Sequence, residues 1–253
     1  MIRRLCYGKG ELKISNKEII RKIFQSRAEN VEGHDPWRYG EELAEITDKV
    51  EVGWIIENLN LDEDTTMIDV GCGTGRHVME IAKNTNAGMV IGCDFIQDNI
   101  DFANAERKER GLFNADFFCS GATDFYKRAK KLDYDLITAI GLIQYLTSES
   151  ELKEFAKCCS DLLDSEGKLL LKHPLSFGES FLLDYHREEM DTRYISSYFN
   201  FTDIMESFGP DFELLSMNRT FTSENVGELL PSIERDERAM QMWILFSKKR
   251  KTV

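Results

Sequence analysis

Three glycines lie within five residues, between an apolar run and a helical segment, in Met67-Ile-Asp-Val-Gly71-Cys-Gly73-Thr-Gly75. Because glycine has no Cβ, a ligand can approach the backbone closely at such a strand-to-helix turn. Asp94 ends the next apolar run, 23 residues after Gly71. A carboxylate in that place can accept hydrogen bonds from both hydroxyls of a ribose. The spacing therefore predicts a ligand of nucleotide type.

The glycine spacing is Gly-x-Gly-x-Gly, whereas the dinucleotide fingerprint is Gly-x-Gly-x-x-Gly. A NAD-dependent oxidoreductase is therefore the weaker interpretation. Asp69-Val-Gly-Cys-Gly-Thr-Gly75 resembles motif I of the class I S-adenosylmethionine-dependent methyltransferases, small-molecule type. The resemblance covers about residues 60–175 and extends more loosely to the last two strands.

This resemblance implies S-adenosyl-L-methionine as the cofactor and gives each residue of the loop a role. Asp69 would orient the loop or the ammonium group of the cofactor, Asp94 would bind the ribose, and Phe95 would pack on the adenine. The loop that would run beside the methionine portion consists of Gly71, Cys72, Gly73 and Gly75.

Two later turns extend the resemblance. Cys119-Ser-Gly-Ala-Thr-Asp124 is similar to the Gly-Asp-Ala-x-Asp turn of the family, with Gly121 in place of the first acid. Ala122 and Thr123 would contact the adenine edge through backbone groups, and whether Asp124 replaces the missing acid is left open. After the fourth strand, Ile140 and Gly141 would face the cofactor, and Gln144 and Tyr145 would face the substrate.

The chemical class of the methyl acceptor determines which further side chains the transfer requires. A hydroxyl acceptor usually needs a general base, most often histidine, whereas an amine or a thiolate needs only desolvation and loss of its proton. His173 is the candidate base because it ends the fifth parallel strand, although a structural role beside Pro174 is an equal alternative. His186 is a substrate-binding candidate. No Asp-Lys-Glu metal set and no Asn-Pro-Pro-Tyr signature is found, so no metal is expected.

Two other segments carry candidate ligand-binding residues. By the same resemblance, Arg38 and Tyr39 would contact the cofactor and Trp37 the substrate as a gate; packing of the N-terminal helices is the alternative. Arg193 and Tyr194 lie in a segment rich in aromatic residues. They could bind an acidic or phosphorylated group of the substrate, or they could pin this segment to the sheet.

Strand and helix patterns alternate from residue 66 onward, which is typical of a parallel sheet covered on both faces. We expect an α/β fold: a seven-stranded, mostly parallel, doubly wound sheet with helices on both faces. An N-terminal helical cap would occupy residues 1–60, and a Rossmann-like methyltransferase domain residues 61–253, with a lid or substrate insert at about 174–210. The expected strands are 66–71, 89–94, 115–119, 134–140, 168–172, 212–217 and 241–247.

Two helices are expected before the first strand. Ser15 and Glu18 have the spacing of a capping box at the start of the first helix. The second is expected from about 41 to 58, with Leu43, Ile46, Val50 and Trp54 on one face at helical spacing.

Composition limits the partners. The 253 residues are 42% apolar and 30% charged, with a net charge of −13, so the chain is neither disordered nor collagen-like. A broadly acidic surface repels phosphate backbones and anionic lipids, so we expect a small-molecule substrate, no membrane partner and no nucleic acid. The six cysteines form no CxxC pair, and no run approaches the roughly 18 apolar residues of a membrane helix, which favours a reducing, cytoplasmic location.

The sequence alone leaves several alternatives open. The leading hypothesis is methyl transfer to an oxygen or a nitrogen of a small molecule. An RNA or protein methyltransferase and a non-catalytic, cofactor-binding partner subunit are the alternatives. Oligomeric state has no signature in the sequence.

Overall fold

The computed structural model describes residues 15–30, 41–129, 133–187, 192–234 and 236–250. Two helices precede the sheet, α1 (Asn16–Asn30) and α2 (Glu41–Asn58). The capping box at the start of α1 is confirmed: Ser15 Oγ accepts a hydrogen bond from the Glu18 amide at 3.3 Å, and Glu18 Oε2 accepts one from the Ser15 amide at 2.9 Å.

Strands and helices then alternate as the sequence predicted, because apolar runs of five to seven residues, each ended by a polar turn, suit strands buried on both faces. This part of the chain comprises β1 (Thr66–Val70), α3 (Arg76–Asn84), β2 (Met89–Asp94), α4 (Gln97–Glu109), β3 (Ala115–Cys119), α5 (Tyr126–Ala129), β4 (Tyr134–Ile140), α6 (Glu149–Leu162) and β5 (Leu163–Ser176). A single 3-10 turn, Ile143–Tyr145, follows β4.

The segment after β5 opens with a two-stranded hairpin, β6 and β7, which the sequence pattern did not predict. The elements from there to the end are β6 (Phe181–Arg187), β7 (Thr192–Tyr198), α7 (Phe201–Phe208), β8 (Phe212–Arg219), α8 (Ser223–Val226), a 3-10 turn (Gly227–Leu229), α9 (Leu230–Ile233) and β9 (Ala239–Lys248). The predicted insert at about 174–210 therefore contains the end of β5, the hairpin and α7.

The main sheet has seven strands in the order β3-β2-β1-β4-β5-β9-β8. β9 runs antiparallel to both of its neighbours, and the pairs among β1 to β5 are parallel. The predicted seven-stranded, mostly parallel α/β fold is confirmed. The strand order reverses between β1 and β4, and open sheets of this kind bind ligands beyond the carboxyl ends of the strands at such a point.

Apolar side chains fill both faces of the sheet. One face packs against α6 and α7 through residues such as Phe155 and Phe208. The other face packs against α2 and α3, where the rings of Trp54 and Trp243 stack at 5.0 Å. These two layers hold the carboxyl ends of β1, β2 and β4 in fixed positions, which is what a ligand site at that edge requires.

β5 is longer than predicted. It continues through Pro174 to Ser176, paired with β9, whereas its pairing with β4 ends at Lys172. The Lys172 carbonyl, which accepts a hydrogen bond from the Gly141 amide, points towards β4. Successive residues of a strand alternate direction, so Pro174 would also point its missing N–H to the side where β4 has already ended. Proline therefore costs no hydrogen bond there.

Candidate functional site

The glycine loop lies directly beyond β1. The amides of Gly71 and Cys72 both donate to the Cys93 carbonyl of β2, at 2.7 and 3.0 Å, and these bonds fix the loop between the two strands. Gly71, Gly73 and Gly75 all have positive φ, between 56° and 81°, a region that favours glycine. A Cβ on Gly71 would lie only 2.8 Å from Leu142 Cδ1, so the loops after β1 and β4 meet here.

Asp94 ends β2 beside this loop. Its Oδ2 accepts a hydrogen bond from the Gly73 amide at 3.1 Å, and its Oδ1 accepts one from the Ile96 amide at 2.8 Å and a longer one from Asn99 Nδ2 at 3.5 Å. Burial raises the pKa of Asp94, and the hydrogen bonds to backbone amides oppose that shift.

Asp69 lies behind the loop and is almost fully buried. Its Oδ1 accepts a hydrogen bond from Thr138 Oγ1 of β4 at 2.6 Å. Burial raises the pKa of Asp69 to about 6, while the nearby His77 and the Thr138 hydroxyl oppose the rise. Its charge therefore changes in a pH range close to neutrality, and a cation bound beside it would favour the ionised form.

Open space adjoins these groups where the strand order reverses. Gly73 and Gly141 have positive φ, and no atom of the described residues lies within 4 Å of the position that a Cβ would take on either of them. Gly141 follows β4, and its amide donates to the Lys172 carbonyl of β5 at 3.0 Å. The two glycines thus leave room for a ligand at the carboxyl edge of β1 and β4, with Asp94 beside Gly73.

Comparison with known proteins identifies this arrangement. Residues 67–167 match the sequence profile of the "Methyltransferase domain" family. These residues form a methyltransferase domain. The stretch contains the glycine loop, Asp94 and the turn after β4, and the predicted resemblance to the class I methyltransferases is confirmed for these residues.

The curated relatives match this chain only in part. A demethylmenaquinone methyltransferase of Lactococcus lactis is 28% identical over 122 residues, which are 47% of this chain and 45% of that protein. Phosphoethanolamine N-methyltransferase 3 of Arabidopsis thaliana is 34% identical over 110 residues, 44% of this chain and 21% of that protein. The chain therefore spans about half the length, or less, of these curated relatives.

A solved structure shows the same fold over almost the whole chain. Magnesium protoporphyrin IX methyltransferase from Synechocystis, described with bound S-adenosylmethionine, covers 95% of this chain and is itself covered in full, with a TM-score of 0.63 and 15% identity. The similarity thus includes β8 and β9, which the sequence resemblance reached only loosely.

The geometry of the methyltransferase domain fits the cofactor. The Asp94 carboxylate beside Gly73 suits a ribose hydroxyl, and the open side of Gly73 and Gly141 suits a ligand that lies against the backbone. Cys72 is half-buried, and burial raises the pKa of its thiol well above the usual value, so it remains a neutral thiol beside the loop. These placements agree with the cofactor roles predicted for this group, and each role stays a prediction.

The predicted adenine side lies between β2 and β3. Phe95 is half-buried and contacts Phe24 of α1, with ring centroids 5.9 Å apart. Ala122 and Thr123 follow β3 and are half-buried, and the Thr123 carbonyl accepts a weak hydrogen bond from Cys158 Sγ. Asp124 is exposed and forms an ion pair with Lys127. Its carboxylate therefore already has a cationic partner on the surface.

The predicted substrate residues after β4 lie in the 3-10 turn. Gln144 and Tyr145 are half-buried there, and Ile140 at the end of β4 packs towards α3. The Tyr145 ring stands nearly perpendicular to Phe24, at 87°, with centroids 4.8 Å apart. β7 packs against this turn, and the Tyr145 phenol contributes to raising the pKa of Tyr194. The structure therefore brings Tyr145 and Tyr194 together, with Phe24 between Tyr145 and Phe95.

His186 and Arg193 occupy a different part of the hairpin. They face each other across β6 and β7, and both are exposed. The guanidinium of Arg193 binds the Asp184 carboxylate through two contacts, at 2.6 and 2.5 Å. Its charge is thus compensated by a contact that joins β6 to β7 within the insert, and both roles considered for Arg193 stay predictions.

His173 is enclosed in the protein interior. The side chain is 0% exposed, and its Nε2 accepts a hydrogen bond from the Phe199 amide at 3.0 Å. Burial lowers the pKa of His173 to about 3. A histidine that is neutral, closed off from solvent and already bonded through Nε2 is suited to holding β5 against the chain after β7. The geometry thus favours the structural alternative over the general base.

The predicted gate residues Trp37, Arg38 and Tyr39 lie outside the described residues.

Three possible metal-ligating side chains lie close together among the described residues. Asp48 and Glu51 of α2 and His77 of α3 each place one possible ligand atom within 4.8 Å of the others. However, Asp48 forms an ion pair with Arg76, and Glu51 forms one with Lys172. These cations compensate the carboxylate charges that would attract a metal ion.

Sequence reasoning missed the residues whose role depends on another element. Phe24, Thr138 and Lys172 each contact the site from α1, β4 or β5. Lys172 gave a weak signal, since it is a charged residue directly after three leucines of an apolar strand.

Within the parts of the chain given above, no helix is both long and apolar enough to cross a membrane.

Proposed function

We propose that this protein is an S-adenosylmethionine-dependent methyltransferase that transfers a methyl group to an oxygen or a nitrogen of a small molecule. The observation that carries the proposal is the position of Asp94, bonded to the Gly73 amide at the edge where the strand order reverses. A carboxylate there, next to open backbone at Gly73, is the arrangement that binds a ribose.

When bound, the cofactor supplies a methyl group whose reactivity is built into a positively charged sulfur. The protein residues then have to bind and orient the cofactor and the acceptor, and to exclude water from the site. Asp94 would hold the ribose, Asp69 would attract the ammonium group, and Phe95 would lie against the adenine. Phe24 and Tyr145 would close the side of the site next to the acceptor, since α1 lies against both Phe95 and the 3-10 turn.

A small-molecule acceptor is supported by charge and by the similar proteins. The net charge of −13 disfavours a nucleic-acid substrate. The names of the similar proteins give demethylmenaquinone, phosphoethanolamine and magnesium protoporphyrin IX, all of them small molecules. RNA or protein methylation and a non-catalytic partner role remain the competing functions. The free cysteines, among them Cys93 and Cys159, support the proposal of a reducing, cytoplasmic location.

A transfer assay distinguishes these functions. The protein is incubated with S-adenosylmethionine labelled in its methyl group and, in separate reactions, with a metabolite extract, total RNA or a protein extract. We expect label in the metabolite fraction and none above background in the polymers. At a cofactor concentration near the wild-type Kd, Asp94→Ala should reduce the label strongly, and Asp161→Ala, at an exposed residue of α6, should retain it. Label in RNA or protein alone would contradict the proposal.

A further inference from the structure

Three aromatic side chains from three separate elements meet beside the turn that follows β4. They are Phe24 of α1, Tyr145 of the 3-10 turn and Tyr194 of β7, and we call them the aromatic corner. Phe24 and Tyr145 stand at 87° with centroids 4.8 Å apart. β7 packs against both α1 and the 3-10 turn, and the Tyr145 phenol contributes to the raised pKa of Tyr194. If the cofactor binds at Gly73 and Gly141 as proposed above, this corner lies on the acceptor side of the site.

The corner offers aromatic rings and neutral phenols. Burial raises the pKa of Tyr194 well above its ordinary value, and the phenols of Tyr145 and Tyr198 add to the shift. The Tyr194 phenol therefore remains protonated and is not a base near neutral pH. The buried His173 is also neutral and has its Nε2 engaged by the Phe199 amide. Neither residue is suited to removing a proton from a hydroxyl acceptor.

The negative face of an aromatic ring attracts a cation within about 6 Å. A neighbouring ring already shows the contact, because the Arg21 guanidinium lies 6.0 Å from the Phe95 centroid. Arg193, the residue before Tyr194 in the sequence, is bound to Asp184 on the exposed part of the hairpin. The chain as a whole carries a net charge of −13, which attracts cations from solution.

We propose that the methyl acceptor is the nitrogen of an amine and that the aromatic corner holds the positive charge of the methylated product. This inference rests on the proposed function and narrows its acceptor from oxygen or nitrogen to nitrogen. An amine carries its own lone pair, so it reacts without a general base once it is unprotonated and desolvated.

The transfer conserves the positive charge but changes the atom that carries it. The lone pair of the amine nitrogen forms the new N–CH₃ bond, while the S–CH₃ bond breaks and its electron pair stays on sulfur. Where the nitrogen carried a hydrogen, that proton leaves to water. When the acceptor is a tertiary amine, the positive charge thus passes from sulfur to nitrogen and stays there, next to the rings of Tyr145 and Tyr194; with a primary or secondary amine the nitrogen carries the charge until its proton leaves. Transfer to an anionic oxygen would instead produce a neutral ether or ester, which gains nothing from a cation-binding wall.

A pair of probes with the same shape tests the charge preference directly. Phenyltrimethylammonium carries the charge, and tert-butylbenzene is its neutral isostere. Binding of each to the protein, in the presence of saturating S-adenosylhomocysteine, is measured by calorimetry. We expect the cation to bind at least about tenfold more tightly, and to keep that preference in about 0.5 M NaCl, where attraction to distant surface charges is screened. Equal affinities, or a preference that high salt abolishes, would overturn the inference.

Variants then assign the preference to the corner. Tyr145→Leu removes the ring and should reduce the affinity for phenyltrimethylammonium by about tenfold, whereas Tyr145→Phe keeps the ring and should change it by less than about twofold. Phe113→Leu, at a side chain that is 94% exposed, is the matched control and should have no effect. An unchanged cation preference in Tyr145→Leu would contradict the assignment.

A turnover comparison completes the test. N,N-dimethylaniline, whose methylated product is the phenyltrimethylammonium cation used above, and phenol are offered as acceptors with S-adenosylmethionine, and we expect methylation of the amine alone. Methylation of phenol at an equal or higher rate overturns the choice of nitrogen while leaving the proposed function intact. In contrast, a wild-type protein that does not bind S-adenosylhomocysteine overturns the proposed function itself, so the two failures are distinguishable.

Discussion

At the scale of single residues, the buried charge of Asp69 lowers the stability of the folded protein, whereas the same charge would attract the ammonium group of the cofactor. Its pKa of about 6 in the folded protein lies above the 3.8 of an ordinary aspartate because the side chain is buried. A raised folded-state pKa means that stability present at low pH is lost as the pH rises from about 4 through about 6. Above pH 6 the folded protein therefore carries an unfavourable buried charge.

We expect Asp69→Asn to raise the free energy of unfolding at pH 8 by about 1–3 kcal/mol and to change it little at pH 4. The asparagine oxygen can still accept the Thr138 hydrogen bond. The same substitution should weaken cofactor binding, since the ammonium group loses its carboxylate. Urea denaturation at both pH values measures the first effect, with the exposed Asp133→Asn as the control. Loss of stability at pH 8 would contradict this account of Asp69.

At the scale of elements, a buried ion pair connects helix α2 to the end of β5. Glu51 is 0% exposed and contacts Lys172 Nζ through Oε1, while its Oε2 lies 2.9 Å from His77 Nε2. Lys172 also lies over the ring of Phe221, 5.1 Å from its centroid. The helix is thus joined to the strand whose carbonyl holds the Gly141 amide.

Removing one partner should leave an uncompensated buried charge. We expect Glu51→Gln to lower the free energy of unfolding by about 3–5 kcal/mol, and the double variant Glu51→Leu with Lys172→Met to recover most of that loss. The exposed pair Lys157 and Asp161 is the matched control, whose double replacement should cost less than about 1 kcal/mol. Denaturant unfolding measures all of these, and a Glu51→Gln variant as stable as the wild type would show that the pair is not needed.

The same helix shows where periodicity misleads. The predicted face of α2, with Leu43, Ile46 and Val50, is only half-buried and packs towards Phe221 near α8, whereas Ile55 is fully buried against the sheet. The helix is covered on more than one side, so no single stripe could describe it. Glu51 would have been assigned to solvent by its charge, and its contacts with Lys172 and His77 explain its burial.

At the scale of the whole molecule, the sequence predicted the parts that depend on local signals. The alternation of apolar runs predicted the sheet, and the spacing between Gly71 and Asp94 predicted the ligand type, because both lie within one βαβ unit. The hairpin formed by β6 and β7 was not predicted, since its residues carry no strong alternation and its position depends on packing against α1. Tyr145 and Tyr194 were each predicted as substrate-binding residues, but their meeting with Phe24 in the aromatic corner was not predicted, because the three residues are far apart in sequence.

The central claim is that Asp94 and the glycine loop bind the cofactor. Isothermal titration of S-adenosylhomocysteine into the wild-type protein, Asp94→Ala and the distant control Asp161→Ala tests it most directly. We predict saturable binding to the wild type and the control, and an affinity loss of about 1–3 kcal/mol in Asp94→Ala, since buried polar partners lose their hydrogen bonds. No binding to the wild type, or equal affinity in Asp94→Ala, would contradict the claim.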